Sequence, residues 1–374
     1  MPEVMPDAMT DTLPPVDARR YRPDALVLFA IALLEAAGLP ADRARAVAEI
    51  LVEGDLLGHT THGLDMLALY LNELEQGAMA KTGEPEVVND MGAALTWDGN
   101  RLPGPWLVRK AIAETRSRIL AHPVVTVVMR RSHHIGCLQA YLKSITDAGL
   151  IGLLLTSDPA GAGVAPHGGV ASRITPNPLA MGFPTGPDPS AVGPGHLDPV
   201  LIDVSMSTST NAMVKRIKAE GGRLPGPWLV DRDGHATDDP SAIGGDAGGA
   251  LLPLGGLDLG HKGFGLGLMV EALTSGLAGY GRSQHPKGWQ ASVFLQVLDP
   301  DAFGGRDSFV RETAYLAELC RTTPVAPGRP PVRLPGEGAL SRRRHHLRAG
   351  VTLPPTAMPA LEPYAAKYGV PLPG

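Results

Sequence analysis

The chain has 374 residues, 44% of them hydrophobic, with aromatics at only 5% and with 46 Gly and 36 Pro. That is enough apolar content for one large or two ordinary cored domains, rich in turns. A formal net charge of −5 gives no general basis for binding nucleic acid, and no apolar stretch reaches the length of a membrane helix.

Residues 1–22 are Pro-rich and acidic, without an apolar signal core, and predict a loose tail. The two cysteines, Cys137 and Cys320, are too far apart to suggest a disulfide framework or a C-x-x-C pair, so a soluble cytoplasmic protein is expected. A helix is predicted over 25–37, stopped by Gly38. Ala46, Val47, Ile50, Leu51 and Leu57 then recur at helical spacing. Leu64, Leu67, Leu71 and Leu74 do so again, up to Gly77.

Between these helices lies the corner Gly58-His59-Thr60-Thr61-His62-Gly63. A histidine at a helix start feels the positive end of the dipole, which lowers its pKa. A buried carboxylate would raise it again, and a group balanced between the two passes a proton near neutral pH. Equally, both histidines could simply cap or line a surface turn.

Short β-like runs follow over 84–97, closed by Asp98-Gly99, and then a helix over 106–120. The apolar runs 124–129 and 151–156 read as buried strands around a helix at 137–148. Residues 158–184 form a long loop rich in Gly and Pro, of the kind that is functional or disordered. A strand at 200–204 carries Asp203, and a helix is predicted over 210–220. A hairpin or turn sits over 228–239, around Asp233-Gly234. A glycine-rich loop over 251–260 leads to His261-Lys262-Gly263 and a helix over 264–278. A strand at 293–298, a helix at 307–320, the basic run Arg342-Arg343-Arg344-His345-His346 and a helix at 361–368 complete the chain.

No Gly-x-Gly-x-x-Gly follows a strand, and there is no P-loop. His59, His62, His133, His134 and His167 could in principle converge on a metal, but H-E-x-x-H is absent and no metal is expected. The basic run reads as a solvated face, or as an offset to nearby phosphates. Asp203, at a strand end before Ser205, Ser207 and Thr208, suits an orienting partner for a histidine, or else caps the following turn.

The sequence resembles the malate/L-lactate dehydrogenase family of the non-Rossmann type. The resemblance rests on Thr61-His62-Gly63 with Tyr70; His133-His134-Ile135-Gly136; Pro166-His167-Gly168-Gly169; Asn177-Pro178; Asp203-Val204-Ser205-Met206-Ser207; Leu252-Pro253-Leu254-Gly255 with Lys262-Gly263; and Leu334-Pro335-Gly336-Glu337. Together, in this order, these segments are specific.

The resemblance implies an α/β fold with a helical domain from both chain ends, over 23–90 and 306–374. An α/β domain with a mixed, largely antiparallel sheet would occupy 91–305. It implies NAD or NADP as cofactor, a small 2-hydroxy or 2-oxo acid or a related carbonyl or imine as substrate, and a homodimer. On this mapping His62 is the acid/base, Thr61 its hydroxyl neighbour and Asp203 its orienting carboxylate. His134, Leu201, Ile202, Val204, Ser205, His261, Lys262, Gly336 and Glu337 lie at the cofactor. Asn177, His167 and Met66 lie at the substrate. Met66 stands where the family has an arginine suited to a substrate carboxylate, a grip methionine cannot imitate. Either another cation, such as Arg173, serves, or the substrate is not a simple 2-oxo acid. A nucleotide-binding member that has lost catalysis is the alternative reading.

Overall fold

The computed structural model describes residues 19–186, 197–244 and 248–374. Most of the tail expected over 1–22 lies outside them, but its last residues are tied down. Strand β1 (Arg20–Tyr21) pairs antiparallel with β12 (Val351–Thr352), because Tyr21 and Val351 both enter an apolar cluster.

Helices α1 (Pro23–Ala36), α2 (Ala41–Leu57), α3 (Leu67–Glu75) and α10 (Ala357–Tyr368) share that cluster through Leu26, Leu34, Leu51, Leu67, Leu71 and Leu361. Pro23 opens α1, where a missing N–H costs nothing, and Gly38 follows its end in the left-handed region at φ 94°. Residues from both chain ends thus build one helical layer.

The sheet has seven strands in the spatial order β2 (Glu86–Asp90), β3 (Ala94–Asp98), β4 (Val124–Ser132), β11 (Ala291–Leu298), β5 (Ile151–Ser157), β6 (Leu179–Phe183) and β7 (Val200–Val204). Only the β3–β4 pair is parallel. This is the mixed, largely antiparallel sheet that was expected. Its central strands are buried on both faces, which is why they read as continuous apolar runs. Val125, Val127 and Met129 face α4 (Gly104–Arg118) and α5 (Gln139–Thr146). Val128, Leu155 and Phe294 face the opposite cluster, with Val270 of α7 (Gly256–Glu271). A small sheet of β8 (Leu229–Val230), β9 (Ala236–Thr237) and β10 (Ala250–Leu251) packs near α6 (Asn211–Ala219).

Four expectations are corrected. Strand β6 lies inside the segment read as a loop, because Gly182 hid it. A Cβ there would stand 3.1 Å from Leu142 Cβ, so glycine lets the strand approach α5. Helix α7 begins at Gly256, so His261 and Lys262 sit on a helix rather than a loop. Its glycines permit close packing, since a Cβ at Gly263 would collide with the Leu254 backbone. Strand β2, within the segment assigned to the helical part, pairs with β3. Helix α8 (Arg306–Arg321), also assigned to the helical part, meets the β6 end of the sheet through Phe309 on Phe183 and Thr313 Oγ1 on Pro184 O. The basic run lies on α9 (Glu337–Ala349), where Arg343 pairs with Glu53 and Arg344 with Asp198.

Candidate active site

The corner after α2 is built by its glycines and one buried acid. Gly58 takes φ 91°, which turns the chain out of α2. His59 N–H returns to Gly54 O and His62 N–H to His59 O, closing a short 3-10 turn over Thr60–His62. A second such turn, Leu64–Met66, precedes α3, and Asp55 accepts the Leu64 N–H at 2.8 Å. A Cβ at Gly63 would occupy the space of the Asp55 carboxyl.

His62 therefore does not begin an α-helix, and the dipole argument gives way to another cause. Burial, then the neighbouring His59, lowers its pKa to about 4. Its Nδ1 stands 3.0 Å from Thr61 Oγ1. Its ring stacks at 5.7 Å on His134, which itself stacks at 4.5 Å on Trp289. Tyr70 OH lies 2.8 Å from His134 Nδ1. Burial, with His62 and His133, holds His134 well below its ordinary value. The His133-His134 backbone is fixed from behind: His133 N–H donates to Leu102 O, and Gly104 packs so closely that a Cβ would strike both histidine carbonyls.

Asp203 corrects the expected pairing. Among the described residues it makes no hydrogen bond to His62. Its Oδ2 accepts the Gln139 backbone N–H at 2.9 Å, with the Cys137 thiol 3.9 Å away. His59, Cys137 and Asp203 bring potential ligand atoms within 4.8 Å of one another. Gln139 Nε2 donates to Leu201 O, so its Oε1 accepts from His59 Nε2 at 2.8 Å. Burial pushes the Asp203 carboxyl above its ordinary value, while His59, the Gln139 N–H and Cys137 pull it back. The Asp203 carboxyl thus lies near His59 rather than on His62, with Gln139 bonded to both.

The other expected residues divide. Ile202, Val204 and Ser205 lie along the outer strand and just beyond it, with Val204 40% exposed. Leu201 is 1% exposed, its N–H bonded to Pro335 O and its carbonyl to Gln139, so it holds the strand in place. Gly336 (φ 93°) packs on Leu201 so tightly that a Cβ would stand 2.8 Å from its Cβ. Glu337 caps the turn by accepting the Leu334 N–H, and it pairs with Arg321. It lines a cleft of about 400 Å³ with Arg321, Arg333, Ser341 and Arg344. His261 and Lys262 are exposed, and His261 meets His167 at 5.7 Å between rings. Among the described residues no hydrogen bond or ring contact joins that pair to His62. Asn177 is a correction: it is fully buried, and its amide donates to Gly267 O and lies 3.1 Å from Glu271 Oε1, so it anchors α7.

The sequence profile of malate/L-lactate dehydrogenase matches residues 21–362. The chain belongs to the malate/L-lactate dehydrogenase family. It is 32% identical over 316 residues to an L-lactate dehydrogenase of Cupriavidus necator, covering 83% of this chain and 87% of the relative. It is 30% identical to a (2R)-3-sulfolactate dehydrogenase (NADP(+)) of Chromohalobacter salexigens, covering 90% and 95%. The crystal structure of malate dehydrogenase from Entamoeba histolytica shares the fold, with a TM-score of 0.87 at 23% identity, over 96% of this chain and 100% of that one. As a member of the malate/L-lactate dehydrogenase family the chain is an oxidoreductase, and the relatives named here are dehydrogenases of small hydroxy acids.

Within this family member, Met66 packs against the helical cluster, which accounts for an apolar side chain there. Arg173 is exposed and donates to the adjacent Ser172 O. Trp289 and the link from His59 through Gln139 to Asp203 escaped the sequence reading. Each depends on contacts across long chain separations, with no local motif. No helix among the described residues is long and apolar enough to cross a membrane.

Proposed function

We propose that this protein interconverts a small 2-hydroxy acid and its 2-oxo acid with NAD or NADP, and that His62 handles the hydroxyl proton. The observation that carries this reading is the His62 ring itself. Its Nδ1 is engaged by Thr61 at 3.0 Å, which leaves Nε2 for substrate. When bound, the nicotinamide supplies the hydride acceptor or donor.

The chain offers a fit for such a cofactor. The open strand end at Val204 and Ser205, the turn at Gly336-Glu337 and Arg333 in the cleft beside it, where Arg321 and Arg344 pair with Glu337 and Asp198, suit phosphates and ribose hydroxyls. His134 under Trp289 offers a flat aromatic surface. His261 and Lys262 would join these from α7.

In the oxidising direction a neutral His62 donates Nδ1–H to Thr61 and accepts the substrate proton at Nε2. A ring held near pKa 4 is in that state throughout the neutral range. In the reducing direction the same nitrogen returns the proton, and the rate rises as pH falls. Asp203 acts as a positioning residue, through Gln139 and His59, rather than as the partner of His62.

The exposed apolar side chains Leu259, Leu266 and Met269 on one side of α7 support a homodimer that covers this face. The activity is tested by following NAD⁺ or NADP⁺ reduction against a panel of 2-hydroxy acids, and the reverse reaction against 2-oxo acids and cyclic imine carboxylates. Turnover of at least one acid is expected. Cofactor binding with no turnover across the panel would oppose it and favour a member that only binds nucleotide.

A further inference from the structure

The substrates in the names of the relatives, lactate and sulfolactate, carry a carboxylate that is ionised at neutral pH. Moving such an anion beside a neutral, half-buried imidazole costs free energy unless a cation meets it. The corner that carries His62 contains no arginine or lysine of its own, so the countercharge must come from an element packed against it.

Among the described residues, two arginines reach the corner from other elements. Arg342 of α9 sits over Gly58 and donates to Leu57 O at 3.1 Å, so it serves the end of α2. Arg216 of α6 comes from the other direction. Its Nη1 lies 3.5 Å from Thr60 Oγ1, within the turn that holds His62, and its Nη2 lies 3.2 Å from Met213 Sδ. A hydroxyl at that distance and a thioether are weak acceptors for a planar group with five donors. Arg216 is half-buried and makes no ion pair among the described residues. Met213 and Arg216 are three residues apart on α6, so they share one helix face. Thr210 caps that helix by accepting the Met213 N–H, which fixes the helix directly after the Asp203 strand.

We propose that Arg216 is the specificity-determining cation of this enzyme, gripping the substrate carboxylate while His62 takes the hydroxyl proton. The inference rests on the 2-hydroxy acid reading above. An incoming carboxylate gives the guanidinium two charge-assisted hydrogen bonds in place of its weak contacts. It also places the adjacent hydroxyl-bearing carbon toward the His62 side of the corner.

The test compares wild type, Arg216→Gln and Arg216→Lys on the best acid found in the panel and on the primary amide of that acid. Arg216→Gln should lower kcat/KM for the acid by about 10- to 100-fold, mostly through KM, and leave that for the amide near wild type. Arg216→Lys should recover part of the loss, since it restores charge without the planar fork. Equal losses on acid and amide, or no loss on the acid, would overturn the proposal while leaving the activity intact. If wild type turns over no acid at all, the functional reading itself fails and this inference falls with it.

Discussion

The carboxyl of Asp55 fills the space that a Cβ at Gly63 would need, and it accepts the Leu64 N–H at 2.8 Å. The glycine after His62 is therefore a packing requirement. Gly63→Ala should destabilise the fold by about 1–3 kcal/mol through overpacking, read as a lowered denaturation midpoint. An unchanged midpoint would mean that Asp55 can move aside.

Asp55 also makes stability depend on pH. Burial raises its pKa to about 8, opposed by the Leu64 N–H, with the nearby Asp65 charge adding to the rise. Unfolded, the same carboxyl titrates near about 4. Below that value it is protonated in both states. Between about 4 and about 8 the folded state alone holds the proton, so this group's contribution falls as pH rises, by at most about 1.4 kcal/mol per unit. Above the folded value the loss is complete. Asp55→Asn, which keeps an acceptor for Leu64, should flatten the slope of melting temperature against pH over that window. A slope equal to that of wild type would contradict the assignment.

Thr61→Val removes the hydroxyl that holds His62 Nδ1. Turnover should drop about tenfold, in line with one lost hydrogen bond in a desolvated site, with little change in cofactor affinity. Full turnover would show that stacking on His134 orients the ring unaided.

Much of this was legible in the sequence because the relevant signals are local. Helical spacing located α1 to α3, continuous apolar runs located β4, β5 and β11, and the glycine-bounded corner stood out with two histidines, of which only the family resemblance singled out His62. Glycine misled where it permits close packing rather than a turn, as at Gly182 in β6 and at Gly260 and Gly263 in α7. Asn177 looked like a ligand contact, yet its amide is spent on α7. Asp203 was expected on His62, yet it takes the Gln139 N–H and lies near His59, because no pattern in the sequence says what a distant strand meets in a tight corner.

The apolar face of α7 predicts the assembly. Leu266 and Met269 are three residues apart on one side of the helix, 40% and 38% exposed. Light scattering should give wild type the mass of two chains and Leu266→Glu with Met269→Glu the mass of one. A monomeric wild type would remove the dimer from the account.

The most direct measurement concerns His62. Turnover of the best 2-hydroxy acid should be compared between wild type and His62→Gln, alongside fluorescence titration of the reduced cofactor. His62→Gln should lose about 10²- to 10⁴-fold in turnover, with cofactor affinity retained. Wild-type oxidation should stay flat through neutral pH and decline only toward about 4, where His62 gains its proton. Wild-type turnover in His62→Gln would contradict the proton-handling role of His62.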